Sequence, residues 1–91
     1  MTEAQQQVLE TIYQMQMSPQ TFSYRWNAGY ETLAELCCTS RSNAYHWLGG
    51  QTSRRIASRS HQRILALTDF MLSSSEQVEE PLEQWRQQQA E

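Results

Sequence analysis

At 91 residues the chain has room for one small domain with a single core. Three glycines and two prolines argue against a strand-rich, turn-rich fold, and 38% hydrophobic residues suffice for a helical bundle. The net charge of −3 speaks at first against a polyanionic partner; no apolar run approaches the ~18 residues of a membrane span, and nothing at the start resembles a signal peptide, so a cytoplasmic location is expected.

Residues 2–17 read as an amphipathic helix. Val8, Leu9, Ile12, Tyr13 and Met15 or Met17 form its apolar side, and Gln5, Gln6, Gln7, Gln14 and Gln16 face water. The simpler role is a core helix packed on the rest of the domain; the sharper one is a dimerisation helix. Ser18-Pro19 is a start signal, with Ser18 as N-cap and Pro19 at the first helical position. The helix it opens is short, Pro19 to Trp26, with Phe22, Tyr24 and Trp26 as aromatic bulk. Asn27 suits a left-handed C-terminal position, and Gly29 suits the N-cap of a helix from Tyr30. Arg25 is expected to pair with Glu31 or Glu35 rather than touch a phosphate.

The stretch LAELCCTSRSNAYHWLGG, Leu33 to Gly50, splits into two short helices and a turn. Leu33, Ala34, Leu36 and Cys37 give the first an apolar stripe. Ala44, Trp47 and Leu48, at i, i+3 and i+4, give the second its own. Cys38-Thr39-Ser40 continues a helix poorly but caps one well, because a Thr or Ser hydroxyl accepts from the free N–H groups of a first turn. With the stripes buried, the second helix still shows Ser40, Arg41, Ser42, Tyr45 and His46. These are donors, acceptors and a cation without an acid, which suits the edge of a nucleic-acid groove.

QTSRRIASRS follows the glycines and reads as a polar loop, with Ile56 its one apolar exception of note. Ser58 or Ser60 caps a helix to about Leu72 whose main stripe is Ile64, Leu67, Phe70 and Met71. Leu65 and Leu72 lie off that stripe, so this helix needs a partner on a second side. The partner can come from residues 2–17, from the C-terminal segment or from a second subunit. Ser73-Ser74-Ser75 is a break. Val78, Leu82 and Trp85 follow at i, i+4 and i+7, but Pro81 among them predicts an interruption and a new start near it. The final QQQAE is expected to fray.

The segment Leu33 to Gly50 resembles the helix-turn-helix of the lambda-repressor and Cro family of bacterial and phage DNA-binding proteins. Ala34 falls where that motif needs a small residue for its two helices to touch, Ala44 and Trp47 fall on its buried positions, and Gly49 or Gly50 ends its second helix. A looser similarity runs from Ser18 to Leu72. The chain departs from the family at the turn, where Cys38 replaces the usual glycine at a cost of about 1 kcal/mol for left-handed backbone. Ala44 is also smaller than the usual Val or Ile. The resemblance implies an all-α bundle of five or six short helices, with residues 18–72 as the DNA-binding domain. Residues 1–17 would flank it as a helix and residues 73–91 as an acidic, Gln-rich segment, possible docking places for a protein partner. It also implies that Ser40–Leu48 enters the major groove and that the protein works in a bacterial or phage-infected cytoplasm, on the nucleoid.

The distribution of charge removes the objection from net charge. Residues 1–35 carry net −3 and residues 69–91 net −5, but residues 36–68 hold Arg41, Arg54, Arg55, Arg59 and Arg63 with no acid, net +5. A polyanion responds to the local field, since the Debye length is about 8 Å at physiological salt. Ser40, Arg41, Ser42, Tyr45 and His46 are the candidates for base edges. Thr39, Asn43, Gln51, Arg54, Arg55 and Arg59 are the candidates for phosphates. Arg63 is a weaker candidate because it can face the core helices. Cys37-Cys38 lacks the spaced pairs of a metal site, Cys37 reads as a core residue, and no cofactor loop or nucleophile–base pair marks an enzyme. The expected function is sequence-specific binding of double-stranded DNA by a homodimeric transcriptional regulator. The alternatives are a protein-interaction module, or the DNA-targeting subunit of a larger complex, built on the same motif.

Overall fold

Small polar residues set where the helices of this chain begin. In the computed structural model, which describes residues 1–49 and 55–90, every regular element among those residues is a helix. They are α1 (Glu3–Gln14), α2 (Pro19–Trp26), α3 (Tyr30–Cys37), α4 (Arg41–Leu48), α5 (Arg59–Ser73) and α6 (Ser75–Gln89). Thr2 and Gln5 form a capping box on α1. The hydroxyls of Ser18, Ser40 and Ser58 accept from the backbone N–H groups of Thr21, Asn43 and His61, at 3.1, 3.0 and 3.3 Å. Pro19 occupies the first position of α2 and Gly29 caps α3, as their types predict. Two residues turn left-handed to end helices: Asn27 (φ 50°) after α2 and Cys38 (φ 52°) after α3.

The core is built by α2 to α5 and by the segment before α5. Phe22, Leu33, Ala34, Cys37, Ala44, Trp47, Ala57 and Leu65 form one buried cluster. Trp47 is its largest member, and its ring lies 5.1 Å from that of His61. Ala57 is unforeseen: a single small residue in a polar stretch leaves no periodic trace, yet it is buried beside Ile56, which is 91% exposed.

Four expectations about the helices change. Helix α1 ends at Gln14 rather than Met17, because residues 15–18 run extended and the Met17 N–H bonds the Gln62 carbonyl at 3.2 Å. Helix α1 is also no core helix: it buries no residue, packs on α5 alone among the described elements, and leaves Val8 60% exposed. Helix α5 buries Leu65 and Ala66 rather than the stripe through Leu67 and Phe70, because α2 and α3 cover its Leu65 side. Phe70, turned toward α1, stays 56% exposed. Finally, α6 runs unbroken through Pro81 and on to Gln89. The proline leaves the Gln77 carbonyl without its helical N–H, but both residues are exposed, so water can satisfy that carbonyl.

The Arg25 partner is Asp69, not Glu31 or Glu35. Asp69 accepts from Trp26 Nε1 at 3.0 Å and lies 3.3 Å from Arg25 Nε. It sits near the C-terminal end of α5, which crosses α2, whereas both glutamates are exposed on α3. Arg25 is about half exposed, so the pair contributes at most about 1 kcal/mol. Among the described residues no helix is long and apolar enough to cross a membrane.

Trp47 tests this architecture. Trp47→Ala should remove about 3–5 kcal/mol of stability by emptying the core, lowering the melting temperature by more than roughly 12 °C in a domain of this size. Thermal unfolding followed by circular dichroism checks it.

Candidate nucleic-acid interface

The relation between α3 and α4 is decided at Cys38. Its left-handed backbone lets the Thr39 N–H reach the Ala34 carbonyl at 3.1 Å and its own N–H reach the Glu35 carbonyl at 3.4 Å. These two bonds satisfy the last carbonyls of α3 and reverse the chain in a Schellman turn. Ser40 then caps α4, and Asn43 Nδ2 donates to Thr39 Oγ1 at 3.0 Å, tying the first turn of α4 to the linker.

Helix α4 is divided lengthwise. At 3.6 residues per turn, Asn43, Ala44 and Trp47 share one arc, and Arg41, Ser42, Tyr45 and His46 share the other. Ala44 and Trp47 are buried, Arg41 and Ser42 are exposed, and Tyr45 is 56% exposed. The Tyr45 ring stands edge-on to Tyr30 of α3 at 5.5 Å and to His46 at 5.7 Å, which limits its freedom on the surface. No acid occurs on α4 or elsewhere in residues 36–68.

The C-terminal end of α4 is held from two sides. Gln20 of α2 donates its side-chain amide to the Trp47 carbonyl, and the Arg55 N–H donates to the His46 carbonyl at 2.9 Å. Arg55 is thereby brought beside the end of α4, with its side chain exposed. Gln20 escapes a reading of the sequence, since a glutamine on a short helix carries no mark of a partner 27 residues away. Tyr30, the neighbour of Tyr45, escapes it for the same reason.

The expected site residues therefore divide. Arg41, Ser42, Tyr45 and His46 form one surface, with Ser40 at its head in a capping role and Arg55 at its far end. Thr39 and Asn43 are engaged with each other. Arg59 is directed elsewhere: its guanidinium donates to the Tyr13 carbonyl at 3.3 Å, and Arg63 donates to the same carbonyl at 3.0 Å. Both cations thus close the C-terminal end of α1, where carbonyls lack helical partners. Gln51 and Arg54 lie outside the described residues.

Cys37 is buried with Sγ 3.8 Å from the His61 carbonyl, and burial, with the neighbouring Cys38 adding to it, pushes its thiol above the ordinary range. It is a core residue with no role on the surface. No protein-family model, curated protein or solved structure matches the chain.

The turn itself is open to test. Cys38→Gly should relieve the left-handed strain and raise stability by about 0.5–1 kcal/mol, the gain being reduced by the extra freedom of glycine in the unfolded chain. Denaturant melts of the two proteins measure it.

Proposed function

We propose that α3, its turn and α4 act as a helix-turn-helix of the lambda-repressor and Cro type, and that the chain is a sequence-specific double-stranded DNA-binding protein, a transcriptional regulator working as a homodimer. The observation that carries this reading is the acid-free outward arc of α4, Arg41, Ser42, Tyr45 and His46, on a helix whose opposite arc is buried. Such a helix has a width and chemistry suited to the major groove. Arg41, in the first turn, can bond the O6 and N7 acceptors of one guanine with its planar fork. Ser42 accepts either kind of base edge, and the ring of Tyr45 offers apolar contact to a thymine methyl. Arg55, with Thr39 in the turn and Asn43 at the start of α4, is matched to phosphates flanking that groove.

One short helix reads few base pairs. Two-fold dimers meet this limit by reading half-sites about 34 Å apart, and dimerisation is part of the reading. The exposed apolar residues Leu82 and Trp85, with the half-buried Val78, on an acidic α6 favour a second reading, a protein-interaction module on the same scaffold. DNA binding separates the two.

Selection of bound duplexes from a random pool, followed by gel shifts, is the direct test. Arg41→Ala should cost about 1–3 kcal/mol on the selected site, or roughly 5- to 150-fold, and relax selectivity at one base pair of each half-site. Arg41→Lys should restore part of the loss, because lysine keeps the charge without the fork. If the alanine variant keeps full selectivity, the motif is scaffold and the protein-interaction reading takes its place.

Arg55→Ala has a different signature. It should weaken binding to all sequences alike and flatten the slope of log affinity against log salt by about 0.9 per lost phosphate contact. An unchanged slope removes Arg55 from the interface.

A further inference from the structure

Helix α6 is sparsely held by the described residues of its own chain. Among the described elements it touches α5 alone, and it buries no residue. With α6 projecting, the chain has a radius of gyration of 15.0 Å, against about 12 Å for a compact domain of its length. A 15-residue helix standing in water is marginal by itself. Its pattern is nonetheless two-sided: Val78, Leu82 and Trp85 fall along one side, and Glu76, Glu80 and Glu83 along the other. Trp85 is 61% exposed.

The same chain carries an empty receptor. Between α1 and α5 runs an apolar groove of about 560 Å³, lined chiefly by Val8, Ile12, Met15, Leu67 and Phe70. The acids of α1, Glu3 and Glu10, lie on its opposite side. Arg59 and Arg63 precede Leu67 on one side of α5, so the groove has a basic end.

We propose that two copies of the chain exchange α6, with Val78, Leu82 and Trp85 of each seated in the groove between α1 and α5 of the other. Three observations choose this occupant. The groove is apolar and open, and on the stripe Leu82 and Trp85 are exposed in the single chain, with Val78 half-buried. Charge favours arm on groove over arm on arm: residues 75–89 carry four glutamates against Arg86 and repel their own copy, while α5 offers Arg59 and Arg63. The areas also suffice. Phe70 and Trp85, with the half-exposed aliphatic residues of groove and stripe, hold roughly 400–500 Å² of apolar surface per protomer, the apolar share of a standard interface of about 800 Å² per partner. The exchange is reciprocal and closes at two copies.

The inference rests on the dimeric part of the proposed function and not on DNA binding, so its test contains no DNA. Native mass spectrometry and light scattering on the full chain should give twice the 10.7 kDa of one copy. An arm variant, Leu82→Glu with Trp85→Glu, and a groove variant, Val8→Glu with Phe70→Glu, should each fall to the single mass with helical content kept. Val8→Glu alone serves if the groove pair unfolds. The two variants mixed should form a mixed dimer, because one intact arm meets one intact groove, and it should dissociate more readily than the wild type. A monomeric wild type overturns the exchange and the dimeric reading together. A dimeric wild type whose variants stay dimeric overturns the exchange alone. Monomeric variants that fail to combine also overturn it, in favour of pairing between like surfaces.

Discussion

The burial of Trp47 is the constraint on which the rest of the structure depends. Helix α4 has eight residues, far short of the length at which a helix persists in water. It exists because its indole fills the space between α2, α3 and α5, with Phe22, Leu33 and Leu65 in the same cluster. Burying so large a side chain contributes on the order of 3 kcal/mol, several times what the Ser40 cap supplies. Since α4 is a single rigid element, placing Trp47 and Ala44 inward determines that Arg41, Ser42, Tyr45 and His46 look outward. The surface proposed to meet DNA is thus a consequence of the core.

Polar contacts refine what the indole sets. The amide of Gln20 and the N–H of Arg55 reach the Trp47 and His46 carbonyls in the last turn of α4, the latter shared with the capping Gly49 N–H. At the other end Cys38 accepts a left-handed backbone so that two carbonyls of α3 are satisfied. The arginines are divided by the same accounting of free carbonyls. Arg59 and Arg63 are drawn to the end of α1 and Arg25 to Asp69, while Arg41 and Arg55 keep exposed side chains. A block of charge that is uniform along the chain is therefore uneven in space.

The two terminal helices stand apart from this core. Both rest on α5, α1 alongside it from Arg59 to Phe70 and α6 beyond its end, and neither buries a residue. Amide and guanidinium bonds tie residues 13–17 to α5, and the groove between the two helices stays open. Helical amphipathicity without burial is an unfinished structure, since the apolar stripe gains nothing in water. The proposed exchange of α6 between two copies would cover the stripes that α1 and α6 leave open.

The sequence by itself determined the helical class, the caps and the inner arc of α4. Ser18 and Ser40 cap, Asn27 turns left-handed, and Ala44 and Trp47 are buried, because each follows from residue type and spacing within three or four residues. The left-handed turn at Cys38 was legible only through the family resemblance, and Ser58 was not separable from Ser60. Tertiary structure alone decided what depends on partners distant in the chain. Asp69 rather than Glu31 holds Arg25, Leu65 rather than Leu67 faces the core, Ala57 is buried, and Gln20 locks the end of α4. Pro81 is tolerated for a related reason: the carbonyl it frees faces water, and exposure is a property of the packed chain. Local periodicity shows that a helix has an apolar side; which part of that side is covered depends on where the other helices fall.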